Sequence, residues 1–334
     1  MSDDHPLDIL IIKLGALGDV INTLPLAVRL KSRLQAKIHW LVAPLSYPIM
    51  SRHPAVDHTI LFDKTNWKSS LPDVKRQIRS RRFDLVLDLQ RILKSGALCM
   101  FANGRRRIGF DRKRCKEMTW LFPFERIPAA DPSSHMLLQY LEFADYLGIR
   151  ETRVEWGLSG SLVRPAFLPA PYVVLNIGAT KPANKWTIPG FSSLAEQIES
   201  RFRLSCVMTG GREDMEMARQ IEDRSAAGLT NLAGRTTLDE LKDVLQHAEA
   251  VITCDTGPMH LAVALGKKVV ALFGPSDHQR TGPFRGHVIR KAVHCAPCNR
   301  KTCENPICMN RITPEDVMKH LTLVLDHITV REGL

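Results

Sequence analysis

Two short segments of the sequence combine glycine with a carboxylate directly after an apolar run. The first, KLGALGD at residues 13–19, follows the run at residues 8–13 and precedes a helix pattern. Gly15 and Gly18 permit a tight turn and the close approach of another molecule. Asp19 has two interpretations: it caps the helix that follows, or it accepts a proton from a substrate hydroxyl group as a general base.

The second segment, CDTGPMHLA at residues 254–262, follows the apolar run at residues 250–253 and begins a helix pattern. The backbone N–H groups of Thr256 and Gly257 have no carbonyl partners in a first helical turn, and the helix dipole favours an anion there. The segment therefore predicts a diphosphate site. A purely structural turn, with Asp255 as the N-cap, has the same pattern. His260 either packs in this helix or contacts the ligand.

Three further polar residues lie in loops that follow predicted strands. Thr180 lies in the loop after residues 172–177, and Lys185 lies a little further along the same loop. Lys185 either binds a phosphate as a point charge or is solvated. Glu213 or Asp214, in the GGRED turn, either accepts ribose hydroxyl groups or caps a helix. The recurrence of such residues at successive strand ends favours a ligand site over turn chemistry alone.

These residues need a scaffold of parallel strands, and the sequence alternates short apolar runs with helix patterns in both halves. The predicted strands are residues 8–13, 37–42, 59–62 and 83–89, then 172–177, 204–209, 230–232, 250–253 and 268–273. This alternation predicts an α/β protein with two facing Rossmann-like domains, residues 1–160 and 171–334, joined by a Pro-rich linker. Loops at the carboxyl ends of both sheets are then expected to line an interdomain cleft. The final predicted helix spans residues 314–328.

Charge restricts the class of partner. The chain has 334 residues and a formal net charge of +11, with basic clusters at residues 75–82, 105–107 and 112–116. Aromatic residues are only 6% of the chain and no nucleic-acid-binding motif is present, so the sequence favours a phosphorylated lipid surface or acidic glycolipid over nucleic acid. The cluster at residues 75–82, taken by itself, is equally well explained as a solvated helix face. No apolar run approaches the roughly 18 residues of a membrane span. The acidic start MSDDH is unlike a secretory signal, which predicts a cytoplasmic protein.

Four of the eight cysteines, Cys295, Cys298, Cys303 and Cys308, lie in the segment CAPCNRKTCENPIC. A C-x2-C pair followed by two more cysteines is a known metal-ligand pattern. The second pair is spaced more widely than in a zinc knuckle, and thiols also persist unpaired in a reducing cytoplasm. We expect reduced thiols, with a structural metal as the alternative.

With these residues identified, the chain resembles the bacterial heptosyltransferases of glycosyltransferase family nine, which have the GT-B fold. The motifs that carry the resemblance are KLGALGDV, DLQRILKSGAL, GATKPANKW, GGRED, LAGRTTLDEL, CDTGPMHLA, LFGPSD and the cysteine segment. They are distributed over nearly the whole chain, and CDTGPMHLA and the N-terminal glycine loop are the most diagnostic. Gln139 departs from the family, which often has Arg at that position, so acceptor specificity does not carry over.

The resemblance implies inverting transfer of L-glycero-D-manno-heptose from ADP-heptose to the lipopolysaccharide inner core, either Kdo-lipid A or heptosyl-Kdo-lipid A. It implies no metal and no cofactor, and a cytoplasmic protein peripheral to the inner membrane. Asp19 is then the base, and Gly15, Gly18 and Lys94 belong to the acceptor half. The implied donor-binding residues are Thr180, Lys185, Glu213, Asp255, Thr256, Gly257 and His260.

Two other functions are compatible with the residues. The first is a transferase of the same fold that uses another nucleotide sugar or a protein acceptor. The second is a non-catalytic protein that binds a nucleotide sugar or a nucleic acid, for which the positive charge alone is sufficient.

Overall fold

A computed structural model describes residues 6–329, and the side chains of residues 6–325. The acidic start at residues 1–5, which carries the expectation about a secretory signal, lies outside the described residues. The chain divides into two compact units between Leu158 and Ser159, so the Pro-rich stretch at residues 164–171 belongs to the second unit. The roles predicted for the two domains remain predictions.

The first unit is built on a parallel six-stranded sheet with the strand order β3-β2-β1-β4-β5-β6. Its elements are β1 (Asp8–Ile12), α1 (Leu17–Leu34), β2 (Lys37–Val42), α2 (Tyr47–Met50), β3 (His58–Leu61), α3 (Trp67–Ser80), β4 (Phe83–Asp88), α4 (Leu93–Phe101), β5 (Gly104–Gly109), β6 (Glu125–Arg126) and α5 (Met136–Tyr146). Strand β1 lies between β2 and β4, with Ile9 opposite Ile38 and Leu85. Its continuous apolar run is what a strand covered on both faces requires.

Strands β5 and β6 of this sheet were not predicted. Strand β5 has the sequence GRRRIG, whose charges hide the strand pattern. These charges have partners: the Arg106 guanidinium forms a salt bridge with Glu125 of β6 at 2.6 Å, and Arg107 donates to the carbonyl groups of Cys99 and Ala102. The basic cluster at residues 105–107 is therefore part of the sheet.

The second unit has a parallel six-stranded sheet in the order β12-β11-β10-β7-β8-β9. Its elements are β7 (Tyr172–Asn176), α6 (Ile188–Phe202), β8 (Ser205–Thr209), α7 (Met215–Arg224), β9 (Leu229–Asn231), α8 (Leu238–Gln246), β10 (Val251–Cys254), α9 (Gly257–Ala264), β11 (Val269–Phe273), α10 (His278–Thr281), β12 (His287–Arg290), α11 (Ile307–Asn310) and α12 (Pro314–Thr329). Strand β12 was not predicted. Five side chains of α12 join the apolar core of this unit, namely Val317, Met318, Leu321, Val324 and Leu325.

Both units thus have the doubly wound α/β form that the alternating pattern predicts, and the predicted fold class of Rossmann-like domains is confirmed. In the part of the chain that the structure describes, no helix combines the length and the apolar character needed to cross a bilayer.

Buried polar contacts attach the segment after α5 to the first unit. The His53 side chain is buried, and its Nε2 donates to the carbonyl oxygen of Trp156 at 2.7 Å while its Nδ1 accepts from the amide of Ala55. Arg29 of α1 donates to the carbonyl oxygen of Arg153 at 3.1 Å. Because a ring that donates through one nitrogen and accepts through the other is neutral, this arrangement requires uncharged His53.

We predict that acid destabilises the first unit through His53. Burial lowers the pKa of His53, against the opposing effect of its bond to Trp156. The unfolded chain, with a histidine pKa of about 6.5, then binds the proton more readily, so the stabilisation is present above that pH and is lost as the pH falls. Between about pH 7.5 and pH 5.5 the loss is about 1 kcal/mol.

Chemical denaturation at the two pH values measures this loss, and His53→Gln is the control. The variant lacks the titrating ring, so its stability is expected to fall less between the two pH values. An equal fall in both proteins would contradict the assignment to His53.

Candidate active site

The Asp19 carboxylate lies at the carboxyl end of β1, between two groups from different elements. The Lys13 ammonium lies 3.3 Å from its Oδ2, and the Tyr140 hydroxyl of α5 donates to its Oδ1 at 3.1 Å. The Lys13 side chain is only 2% exposed, whereas the Asp19 side chain is 39% exposed. The pair therefore buries its cation and presents its carboxylate.

The charges of this cluster favour an ionised Asp19. Burial acts to raise the pKa of Asp19, but the Lys13 ammonium, the Tyr140 hydrogen bond and the more distant Arg91 charge outweigh it and hold the pKa below its usual range. Burial lowers the pKa of Lys13, and the attraction of Asp19 opposes that shift. Asp19 is thus an anion at neutral pH, with accessible surface from which to accept a proton.

The capping interpretation of Asp19 is wrong. Helix α1 begins at Leu17, and its N-cap is Ala16, so Asp19 lies within the first turn and its side chain turns to Lys13. Gly18 is buried in the same turn. The backbone of Gly15 adopts a φ of 156°, which favours glycine.

A neighbouring loop positions the glycine turn. The Oε1 atom of Gln90, in the loop after β4, accepts from the amides of Leu14 and Gly15 at 3.0 and 3.3 Å. The nearby Asp88 carboxyl is buried, which raises its pKa, and it accepts from the amides of Gln90 and Arg91. Lys94 lies apart from these contacts in the first turn of α4, on the wall of an apolar cavity.

In the second unit, three loops meet at the start of α9. Thr256 is the N-cap, so the interpretation of Asp255 as N-cap is wrong. The Asn184 side-chain amide donates to Asp255 Oδ2 and to Ser276 Oγ, both at 3.0 Å. Burial raises the pKa of Asp255, against the opposing hydrogen bond of Ser276, the Lys181 charge and the hydrogen bond of Asn184.

The N-terminal end of α9 is suited to an anion. Within the described part of the chain, the Thr256 side chain makes no capping hydrogen bond, so the first amides of the helix are not capped by it. Gly257 begins the helix, and its position brings no side chain over those amides. His260 is buried one turn further along.

The interpretation of Lys185 as a solvated loop lysine is wrong. Its ammonium forms a salt bridge of 2.5 Å with Asp214, and the side chains are 25% and 2% exposed, respectively. The other carboxylate oxygen of Asp214 accepts from the Gly211 amide at 2.9 Å. The contact joins the loops that follow β7 and β8. This pair buries its carboxylate and presents its cation, the reverse of the pair in the first unit.

The remaining predicted donor residues lie in the same loops. Thr180 and Glu213 are exposed. Glu213 lines a cavity of about 440 Å³, and the other charged residues in its lining are Glu216, Glu222, Arg212, Arg219 and Arg235. The carboxylates can accept hydroxyl hydrogen bonds, and the guanidinium groups can bind anionic oxygens.

The cysteine segment is described in full. Cys295 and Cys303 are exposed, Cys298 is half-buried and Cys308 is buried, and all four are free thiols. Within residues 6–325, no group of three or more His, Cys, Asp or Glu side chains is arranged to hold a metal ion. Burial raises the pKa of the Cys308 thiol.

Several residues of the site were missed by sequence reasoning, namely Lys13, Tyr140 and Asn184, and the salt bridge of Asp214 with Lys185 was not predicted. Lys13 was part of a quoted motif, but its burial gave no signal in the sequence. Tyr140 lies 121 residues from Asp19 in the chain, and a single tyrosine in a helix pattern does not indicate its partner. Gln139, next to it, is buried and donates to the carbonyl groups of Pro132 and Ser134, which gives it a structural role.

Two Rossmann-like units in one chain, one presenting an anion and the other a cation beside an open helix start, have the form of the GT-B glycosyltransferases. The chain belongs to glycosyltransferase family 9 (heptosyltransferase), whose family model matches residues 72–308. The predicted family and the predicted class of activity are thereby confirmed.

Individual relatives agree with this family. The chain is 29% identical to lipopolysaccharide heptosyltransferase 1 of Pseudomonas aeruginosa over 95% of this chain and 98% of that protein. It is 26% identical to the lipopolysaccharide core heptosyltransferase OpsX of Haemophilus influenzae, over 84% and 83% of the two chains. The solved structure of ADP-heptose lipopolysaccharide heptosyltransferase II of Escherichia coli matches 97% of this chain and 100% of its own, with a TM-score of 0.78 and 23% identity. The predicted GT-B class is confirmed.

We predict that Lys185→Met destabilises the second unit by about 3 kcal/mol, because it leaves the buried Asp214 carboxylate without its cation. The double variant Lys185→Met/Asp214→Asn removes both charges and keeps the acceptor oxygen for the Gly211 amide. It is expected to recover most of the lost free energy of unfolding. Chemical denaturation of the three proteins measures this, and a single variant as stable as the wild type would refute the structural importance of the pair.

Proposed function

We propose that this heptosyltransferase moves L-glycero-D-manno-heptose from its ADP derivative to the inner core of lipopolysaccharide, with inversion at the anomeric carbon. The observation that carries the proposal is the partly exposed Asp19 carboxylate, kept ionised by buried Lys13. The names of the relatives support the donor and the acceptor: OpsX is a lipopolysaccharide core heptosyltransferase, and the Escherichia coli structure is that of an ADP-heptose enzyme.

The proposed role of Asp19 is that of a general base. An acceptor hydroxyl donates a hydrogen bond to the carboxylate, and its oxygen attacks the anomeric carbon as the bond to ADP breaks. The proton moves to Asp19 as the new C–O bond forms, so a carboxylate with a low pKa is strong enough. Attack opposite to the leaving group in a single step inverts the configuration. Tyr140 and Lys13 orient the carboxylate and keep it charged.

The proposed donor site is the edge of the second sheet. The amides of Thr256 and Gly257 at the start of α9 donate hydrogen bonds to the diphosphate, and Lys185, held by Asp214, adds a cation. Both are fixed before the reaction, so they stabilise the negative charge that develops on the departing ADP.

Three further residues of the second unit are proposed to contact the donor. Glu213 accepts ribose hydroxyl groups, and Thr180 and His260 complete the site. With the Lys185 ammonium and these amides in place, the reaction needs no divalent metal or other cofactor.

We therefore expect full activity in EDTA. We also expect the Lys185→Met/Asp214→Asn protein to fold but to bind ADP more weakly than the wild type.

The proposed acceptor site lies in the first unit. Gly15 and Gly18 leave room for a sugar beside Asp19, and Lys94 offers a cation to an acidic acceptor. An acceptor that is a membrane glycolipid places the protein on the cytoplasmic face of the inner membrane as a peripheral protein. The basic surface of the first unit is suited to that location.

The proposal is tested by incubating the protein with ADP-heptose and a panel of truncated lipopolysaccharide cores, followed by mass analysis of the products. We expect one heptose to be added to Kdo-lipid A or to heptosyl-Kdo-lipid A, and nuclear magnetic resonance of the product should show the inverted anomeric configuration. No product from any core would exclude this donor and acceptor pair and would favour another nucleotide sugar or a protein acceptor. A retained configuration would exclude the single displacement.

Asp19→Asn is the matched variant for the base. It keeps the size and one acceptor oxygen but cannot take up the proton, so we expect kcat to fall by about 100-fold or more. ADP affinity should be unchanged, because the proposed donor contacts lie in the second unit. Turnover equal to that of the wild type would contradict the base assignment.

Lys13→Met provides a pH test. Without the ammonium, burial is opposed less, and the pKa of Asp19 rises. The base is active in its ionised form above its pKa, so the acid limb of kcat/KM moves to higher pH, and activity at about pH 5 falls relative to that at about pH 8. Tyr140→Phe removes one neutral hydrogen bond and should move the limb in the same direction by less. An unchanged limb in Lys13→Met would show that Lys13 does not control the base.

A further inference from the structure

An apolar cavity of about 360 Å³ lies between α3 and α4 in the first unit. We call it the α3–α4 cavity. Its walls are the side chains of Phe62, Trp67, Leu71, Ala97, Leu98 and Phe101. Its volume lies within the range of small-ligand sites. No residue of the proposed reaction other than Lys94 lines it, so the proposed chemistry does not account for it.

The rim of the cavity is cationic. Lys64, Lys75 and Lys94 line it together with the apolar side chains. Among the described residues, no carboxylate lies within 4.0 Å of any of these three ammonium groups. The Lys75 ammonium lies 4.4 Å from the centre of the Phe101 ring. An apolar interior with three unneutralised cations at its mouth is complementary to a molecule that joins a hydrocarbon chain to an anionic head group.

Two of the aromatic side chains that line the cavity are also exposed to solvent. Trp67 is 47% exposed and Phe101 is 45% exposed. Large aromatic side chains that remain half in water are typical of membrane–water interfaces, where the ring packs among acyl chains near the head groups.

This surface continues across α4 onto the loop before β6. The amide of Leu93 donates to Glu117 at 3.1 Å, and the Phe122 ring packs so closely on Gly96 that a Cβ there would lie 2.3 Å from it. In that loop Trp120 is partly exposed, and the Arg112 guanidinium lies 4.3 Å from the centre of its ring. The loop thus repeats the combination of cation and exposed aromatic ring seen at the cavity.

We propose that the α3–α4 cavity seats one acyl chain of an anionic membrane lipid, with the phosphate of that lipid held by Lys64 and Lys75. Binding in this way docks the first unit on an anionic bilayer, while Trp67 and Phe101 enter the interface. The inference extends the proposed function, because it names the surface that places the protein where a membrane glycolipid acceptor is found. The binding itself does not depend on the transfer reaction.

The test is sedimentation of the full chain with lipid vesicles. One set of vesicles contains phosphatidylcholine alone, and the other contains phosphatidylcholine with phosphatidylglycerol. We expect binding to the anionic vesicles and little binding to the neutral ones. Equal binding to both, or binding to neither, would overturn the proposal.

A charge variant with a matched control localises the binding. Lys64→Gln/Lys75→Gln removes two cations from the cavity rim, whereas Lys68→Gln/Arg79→Gln removes two from exposed positions on α3 that do not line the cavity. We expect the rim variant to bind anionic vesicles about tenfold more weakly, and the control to bind within about threefold of the wild type. Equal losses would show that only overall charge matters and would overturn the assignment of the phosphate.

A filling variant tests the cavity itself. Ala97→Phe occupies the cavity and leaves every cation in place, whereas Met100→Phe adds the same ring at an exposed position of α4 outside it. We expect Ala97→Phe to weaken vesicle binding by about tenfold and Met100→Phe to leave it unchanged. Thermal unfolding of both variants checks that they fold. Wild-type binding by a folded Ala97→Phe protein would exclude an acyl chain in the cavity.

The two proposals fail separately. Vesicle binding that depends on the cavity, without transfer of heptose to any core, would contradict the proposed function and support the cavity assignment. Transfer of heptose to a core, without cavity-dependent vesicle binding, would support the function and overturn this inference.

Discussion

The first unit depends on one buried ammonium group. Strand β1 is apolar and covered, and the residue that follows it is Lys13, whose side chain is almost fully buried. A buried cation costs several kcal/mol unless a counter-charge lies beside it. Asp19 meets this requirement only if α1 begins at Leu17, because the first turn of α1 then faces the end of β1. The hydrogen bond from Tyr140 to Asp19 requires in addition that α5 packs beside α1. The same constraint that stabilises the turn produces a partly exposed carboxylate that remains ionised.

The second unit also contains a Lys–Asp pair, but the member of the pair that is buried is the other one. Lys185 and Asp214 also lie at the carboxyl ends of neighbouring strands, but here the carboxylate is buried and the cation is partly exposed. Each pair therefore presents the charge that its proposed task requires: an anion to accept a proton, and a cation to bind a diphosphate. Neither charge needs a ligand to hold it in position, which is the condition for electrostatic stabilisation without reorganisation.

The sequence was sufficient to predict the strands that are apolar throughout and the loops that follow them. It was insufficient where a strand's identity depends on its neighbours. The arginines of strand β5 make its sequence look like a basic cluster. It forms a strand because these arginines have partners on β6 and α4, which the sequence does not show. The structure excludes the capping alternatives for Asp19 and Asp255, because the N-caps of the two helices are Ala16 and Thr256. The roles of Tyr140 and Asp214 depend on contacts between residues distant in the chain, which a single sequence does not reveal.

The central claim is that the protein holds Asp19 as an anion for use as a base, and the most direct test is the titration of that one carboxyl group. Carbon nuclear magnetic resonance of the full chain with labelled aspartate carboxyl groups follows it, and the Asp19→Asn spectrum identifies its resonance. The account predicts a midpoint below the ordinary aspartate value of about 3.9. A midpoint at or above that value would contradict it.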